Sequence, residues 1–284
     1  MRLMCEISQS MGENCYFVVD ESTNKAIVID PGENGKKLNK KIDDNNLEVV
    51  AICLTHCHFD HIGAVAEVKA HTDAPVFICS GDEKIAENPV YNLSSRFTEP
   101  ITIEYDRVLQ DGEKFAFGNL EFETIITPGH TPGCGCFYFE REGVLFSGDT
   151  LFYMSYGRTD FPMGSSVQIT KSIKEKLFVL PDYVKVYSGH GQPTEIGFEK
   201  KSNLVRAWKA GYCHLILDGF DEMMSIGISN HKDIKKIRYT AVSSIRKFIE
   251  SAPKDTGIII AGRKHYFDST SEMKNSLGLT DFTY

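Results

Sequence analysis

The chain is short of every feature that would place it in a membrane, on a nucleic acid or in a disulfide-built scaffold. Among its 284 residues no apolar run exceeds the stretch Val49-Val50-Ala51-Ile52-Cys53-Leu54, against the roughly 18 residues that a membrane-spanning helix needs. Cysteine is thin at 8 residues, and Cys134 and Cys136 stand too close together for a disulfide framework, so reduced thiols are expected. Positive charge is in deficit: 31 Lys and Arg face 39 Asp and Glu for a net charge of -8, which argues against a phosphate-backbone partner. Neither a nucleic acid nor a membrane is expected as a partner. The opening residues Met1-Arg2-Leu3-Met4-Cys5-Glu6-Ile7 lack the uninterrupted apolar stretch of about 7–15 residues that a secretory signal carries, and this reading places the protein in the cytoplasm. What remains is ordinary globular composition, with 42% hydrophobic and 25% charged residues and a mean hydropathy of -0.23. That excludes disorder and fibres, and the length predicts one large domain or two with a real core.

The first two-thirds alternate short β-type runs with turn signals. Cys15-Tyr16-Phe17-Val18-Val19 and Ala26-Ile27-Val28-Ile29 are rich in β-branched and aromatic residues, and Asp30-Pro31-Gly32 closes the second. Residues 49–55 form a continuous apolar run ending in a polar cluster, the pattern of a strand buried on both faces whose end carries a site. Residues 62–70 read as a helix, and further strands are predicted at 75–78, 120–126, 136–139, 144–146 and 184–187. Residues 165–180, with Val167, Ile169, Ile173, Leu177 and Val179 apolar and Pro181 as a stop, predict an amphipathic helix. The fold class is α/β or α+β, with helices covering sheets. The texture changes after about Arg206, which sets a domain boundary between 1–206 and 207–284. The tail predicts strands at 215–217 and 257–261 and a basic amphipathic helix at 234–249.

Chemistry concentrates at strand ends. Thr55-His56-Cys57-His58-Phe59-Asp60-His61 packs three imidazoles and a carboxylate into six residues, 56–61. Buried neutral imidazoles each need a hydrogen-bond partner, so such density is hard to explain structurally. Residues two apart in an extended segment point the same way, so His56 and His58 can grip one cation, and the following turn can swing Asp60 and His61 toward a second. Alternation points Cys57 away from them, as a packing residue. His130 sits in the locked turn Thr127-Pro128-Gly129-His130-Thr131-Pro132-Gly133, while Gly148-Asp149 and Gly189-His190 end two later strands.

The order His-x-His-x-Asp-His, Gly-His, Gly-Asp, Gly-His resembles the metallo-β-lactamase superfamily over about residues 1–206. Gly157-Arg158-Thr159-Asp160 and Gly189-His190-Gly191-Gln192-Pro193-Thr194-Glu195-Ile196-Gly197 resemble its glyoxalase II-like hydrolases, in particular the short bacterial hydroxyacylglutathione hydrolase form. The resemblance implies an αββα sandwich with a C-terminal α/β extension. It implies a first metal held by His56, His58 and His130, a second by Asp60, His61 and His190, and Asp149 bridging both. Asp60 and Asp149 are thus the catalytic carboxylates, in the role of ligands. Nitrogen and carboxylate ligands without a thiolate suit two zinc ions, and iron and manganese tolerate the same set. Two such metals generate a hydroxide that attacks a metal-polarised carbonyl, so a small acyl or thioester substrate is expected. A thiolate leaves without a general acid. Arg158 is a candidate for the carboxylate of an anionic substrate, with a salt bridge to Asp160 as the structural alternative, and Tyr156 is a candidate lining residue beside it. The full-length glyoxalase II carries a helical glutathione-binding domain that residues 207–284 do not resemble. A persulfide dioxygenase-like reading is the alternative: those enzymes share Gly157-Arg158-Thr159-Asp160-Phe161 but use a single iron.

Leu215-Ile216-Leu217-Asp218-Gly219-Phe220-Asp221-Glu222 resembles the Walker B strand of NACHT-type and AAA-like ATPases, and Ile258-Ile259-Ile260-Ala261-Gly262-Arg263-Lys264-His265-Tyr266-Phe267 resembles the strand that follows it there. No Gly-x-x-x-x-Gly-Lys-Ser/Thr occurs anywhere in the chain, so the phosphate cradle is missing. A further reading therefore makes the protein a regulatory component whose tail docks a protein partner.

Overall fold

The computed structural model describes residues 1–205 and, after them, the strands Cys213–Leu217, Met224–Asn230, Asp233–Tyr239 and Ile258–Gly262. The chain divides into two compact units, Met1–Arg206 and Ala207–Tyr284. The first unit is built on two six-stranded sheets. One runs in sequence order through β1 (Arg2–Ile7), β2 (Asn14–Val19), β3 (Lys25–Ile29), β4 (Glu48–Cys53), β5 (Val76–Cys79) and β6 (Arg107–Leu109). The other uses β7 (Lys114–Phe117), β8 (Leu120–Ile126), β9 (Gly135–Phe139), β10 (Val144–Gly148), β13 (Lys185–Ser188) and β14 (Thr194–Glu195), in the order β14-β13-β10-β9-β8-β7. A small ribbon, β11 (Leu151–Phe152) with β12 (Ser155–Tyr156), follows β10.

Alternation along the strands creates the layers. In β2, Tyr16 and Val18 face the second sheet, while Cys15, Phe17 and Val19 face the helices; in β3, Ile27 and Ile29 divide from Ala26 and Val28 in the same way. The inter-sheet core is strongly aromatic: Phe122 meets Phe137 with ring centroids 5.2 Å apart, and Phe139 meets Phe146 at 5.6 Å. Edge-to-face packing of this kind adds about 0.5–1.5 kcal/mol per pair beyond area burial. Outside the first sheet, α1 (Gly35–Asp44) contributes Leu38 and Ile42, and α3 (Val65–Thr72) contributes Val65 and Val68. Outside the second sheet lie Ile169 of a helix at Ser166–Ser172, Ile173 and Leu177 of the π-helical stretch Ile173–Leu177 that continues it, and Ile196 at the start of Ile196–Ser202. The result is the αββα layering.

Several expectations needed correction. The helix expected at 62–70 is two pieces, α2 (Phe59–Ile62) and α3, separated at Gly63-Ala64, where the Ala64 N–H donates to Pro31 O at 2.9 Å. Val167 is 62% exposed, because a position two residues from Ile169 falls on the opposite side of the helix, and Val179, 68% exposed, lies in the turn past Leu177, where the helix expected to reach 180 has already ended. In the second unit, Asp233–Tyr239 is a strand paired antiparallel with Met224–Asn230, so the first part of the helix expected at 234–249 is β-structure. The Ile234/Ile237 spacing fits a helix, but both are β-branched, and pairing with a neighbouring strand decided the outcome. Residues 240–249 lie outside the described residues. Cys213–Leu217 pairs antiparallel with Met224–Asn230 and parallel with Ile258–Gly262, with Leu217 opposite Gly262. Residues 218–222 and 263–267 of the ATPase-like motifs lie outside the described residues. Among the described residues, no helix is long and apolar enough to cross a membrane.

Candidate metal centre

Four strand ends meet at one edge of the sandwich. β4 leads into 55–61, β8 into 127–133, β10 into Asp149 and β13 into His190. The apolar body of each strand is locked in the core, so the polar residues just past its end are held without freedom of their own. His56, His58 and His130 bring one ligand atom each to within 4.8 Å of one another, as do His56, His61 and Asp149, and Asp60, His61 and His190. All seven residues singled out in the sequence therefore converge. Asp149 joins the groups, with Oδ1 3.6 Å from His61 Nε2 and Oδ2 3.6 Å from both His130 Nε2 and His190 Nε2. Asp60 Oδ2 lies 3.4 Å from His190 Nε2.

Neighbouring groups set the histidine tautomers. A carbonyl oxygen can only accept, so His130 Nδ1 must donate to Arg158 O at 2.7 Å, and its Nε2 lone pair faces inward. His61 Nδ1 donates likewise to Asp30 Oδ2 at 3.0 Å. The Thr55 hydroxyl donates to Asp30 Oδ2 at 2.6 Å, which leaves it to accept from His56 Nδ1 at 3.3 Å. The consequence is visible in the unsatisfied atoms: His56 Nε2, His58 Nε2 and Asp149 Oδ1 are buried without a hydrogen-bond partner. His58 Nδ1 faces the His130 Nε2 lone pair at 2.8 Å. Orphaned buried acceptors are expensive unless a cation satisfies them, and nitrogen and carboxylate donors in this number fit a pair of divalent cations.

The electrostatics agree. Burial, reinforced by the other imidazoles, lowers the pKa of His56 and His58 well below the usual range, which keeps both neutral and ready to donate lone pairs. Burial also lowers His130, against the pull of Asp149. At His61, burial is outweighed by Asp149, Asp30 and Asp60, which raise it, and His190 is raised by Asp149 and Asp60 in the same way. The carboxylate side of the cluster favours positive charge at its centre.

Glycine has a specific task here. A Cβ on Gly189 would stand 2.4 Å from Asp149 Oδ1 and 2.7 Å from His61 Cε1, so only glycine lets the β13 turn close over the centre. The β2 end grips the same turn: Asn14 Nδ2 donates to Ser188 O and Gly191 O at 3.0 Å each, and Tyr16 Oη donates to Ser188 O at 2.8 Å.

The two candidate substrate residues are not among the ligand groups, although the Arg158 carbonyl holds His130. Arg158 donates twice to Asp160, at 2.9 Å each, and its guanidinium lies 4.1 Å from the Phe161 ring centroid; Phe161 in turn stands edge-on to His58 at 5.7 Å. Tyr156 is half-buried in the β11–β12 ribbon and packs against the outer core of the second sheet. Cys57 is wholly buried in the core between the first sheet and its helices. Sequence reading missed Asp30, whose place in Asp-Pro-Gly looks like turn chemistry, and Asn14. It also missed Glu13, which is wholly buried with neither carboxylate oxygen hydrogen-bonded and whose pKa burial pushes well up.

Comparison with known proteins places this architecture. The hydroxyacylglutathione hydrolase GloC of Haemophilus influenzae is 36% identical over 194 residues, covering 67% of this chain and 91% of that protein. The crystal structure of the BLEG-1 B3 metallo-beta-lactamase is matched at a TM-score of 0.68 with 36% identity, over 72% of this chain and 98% of that one. The di-iron-bound form of TTHA1623 is matched at 0.63 with 32% identity, over 71% and 98%. Fold and ligand groups together imply a hydrolase that uses divalent metal ions. The sequence profile described as the metallo-beta-lactamase superfamily matches residues 11–190, and the chain belongs to that superfamily.

Proposed function

We propose that residues 1–206 form a binuclear metal-dependent hydrolase acting on a thioester or similar small acyl substrate. The observation that carries this reading is the position of Asp149, one carboxylate that faces both ligand groups at 3.6 Å. His56, His58 and His130 would hold one cation and Asp60, His61 and His190 the other, with Asp149 shared. The donor set suits zinc and is tolerated by iron and manganese. Such a pair supplies a Lewis acid for an acyl oxygen and a water acidic enough to act as nucleophile near neutral pH. The chain's own residues do the rest. Asp30 holds the His61 Nδ1 proton, and Arg158 O holds that of His130, so both lone pairs stay turned inward. Asp60 and Asp149 are committed as ligands, which suits a thioester, since a thiolate departs without a proton donor. Arg158 would recognise a substrate carboxylate by exchanging it for Asp160, with Tyr156 lining the approach. The likeness to GloC supports the thioester class. For residues 207–284 the reading is a docking role toward a protein partner, motivated by a Walker B-like motif without a phosphate-binding loop.

The test is a substrate panel on full-length protein of known metal content: glutathione and non-glutathione thioesters, a cephalosporin, and a persulfide with an oxygen electrode. Thioester turnover that is lost with chelation and restored by metal is the expected result. Oxygen uptake with a single bound iron, or cephalosporin turnover without thioester turnover, would contradict it.

A further inference from the structure

Resting on the two-cation reading, we propose that Asp82 is a positioning residue that locks together the two loops carrying His56, His58 and His130, and that it serves this group and not Asp60, His61 and His190. Asp82 follows β5 and stands at the N-cap of a short helix, Glu83–Ala86. Aspartate there ordinarily accepts an N–H from the first turn of its own helix. This one makes no such bond. Its side chain turns away, with Oδ2 accepting the Cys57 N–H at 2.9 Å and Oδ1 accepting the Gly133 N–H at 2.8 Å. Cys57 is the residue between His56 and His58, and Gly133 closes the turn that carries His130.

The two loops belong to different sheets, since β4 lies in the first and β8 in the second. Their separation therefore depends on how the sandwich layers are spaced, unless something clamps them. Asp82 is 0% exposed, and a carboxylate bonding two backbone N–H groups away from water makes charge-assisted bonds about twice as strong as neutral ones. The clamp is tight: a Cβ on Gly133 would stand 2.3 Å from Asp82 N, so the segments meet at backbone distance. Two further bonds cross the seam: Gly135 N–H to Thr55 O at 2.8 Å, which lies before His56 and beyond His130, and His58 Nδ1 to His130 Nε2 at 2.8 Å, which joins the ligand rings themselves, so the backbone of the ligand turns is left to Asp82. The second ligand group is supported elsewhere, His61 by Asp30 and the His190 turn by Asn14 and Tyr16.

The experiment measures cation affinity of the full chain by Zn²⁺ titration against a competing chelator, in two backgrounds. In His190→Ala the three-histidine group remains, and adding Asp82→Ala should weaken the bound cation by about 10–100-fold. In His58→Ala the Asp60–His61–His190 group remains, and the same addition should change affinity by less than about threefold. Asp82→Asn retains one acceptor oxygen and should give an intermediate loss in the first background. It also decides the matter if Asp82→Ala does not fold, as judged by circular dichroism. Equal losses in both backgrounds, or none in either, would overturn the proposal. Wild-type protein that takes up fewer than two cations would overturn the two-cation reading, and this one with it.

Discussion

The two parts of the chain carry resemblances of different kinds. In residues 1–206 the telling residues are scattered over four loops, and the topology brings them to one edge: His58 and His130 are far apart in sequence, yet their ring nitrogens stand 2.8 Å apart. In residues 207–284 the likeness rests on two contiguous stretches. Their strands, Cys213–Leu217 and Ile258–Gly262, are parallel neighbours, but the phosphate-binding loop that would complete the chemistry is absent from the sequence. A contiguous motif can be ordinary strand chemistry alone. A set that converges only through the fold is far harder to reach without a function, which is why the first region supports a mechanism and the second does not.

The comparison breaks most visibly at the ligands. His58→Ala and Asp149→Ala should lose bound metal and turnover together, by more than the roughly 100-fold that loss of a group supporting a ligand costs. Metal content by atomic emission beside kcat would check this, and full metal with wild-type turnover would contradict it. Next is Asp30→Ala, which frees His61 Nδ1 and strips the Thr55 N–H and hydroxyl of their acceptor. A loss of about 10–100-fold in metal affinity or turnover is expected, and a change under twofold would reduce Asp30 to a turn residue. Arg158→Ala should be milder, raising KM for anionic thioesters by up to about tenfold with kcat little changed, as for loss of uniform binding. Identical kinetics on anionic and neutral substrates would leave the Arg158–Asp160 pair as a loop brace. The smallest effect belongs to the tail. A chain ending at Arg206 should keep its metal and thioesterase activity, and residues 207–284 should show no calorimetric ATP binding, because a phosphate-binding loop supplies most nucleotide positioning. Micromolar ATP affinity of the full chain would overturn the contrast between the regions.

Much of the first unit was legible because its signals are local. β-branched and aromatic runs marked β2, β3, β8, β9 and β10, and the ligands lie directly after strands, where polar residues stand out. What escaped was nonlocal or unpatterned. β1 alternates only weakly because it is an edge strand, half-covered along most of its length. α1 is rich in lysine, and only Leu38 and Ile42 reveal its inner face. Asp30 read as a turn residue and Asp82 carried no signal, since their partners His61, Cys57 and Gly133 are brought to them by the fold alone. The basic stretch from Ile234 misled because its three-residue apolar spacing fits a helix, while pairing with Met224–Asn230, which the local spacing does not reveal, makes it a strand.

On the proposed reading one carboxylate, Asp149, serves two cation positions at once. Native mass spectrometry of the full chain after metal loading tests it directly. Two divalent ions per wild-type chain are expected, with weakened retention of both after the single change Asp149→Ala. One ion per wild-type chain, or an Asp149→Ala protein that still holds two, would contradict it.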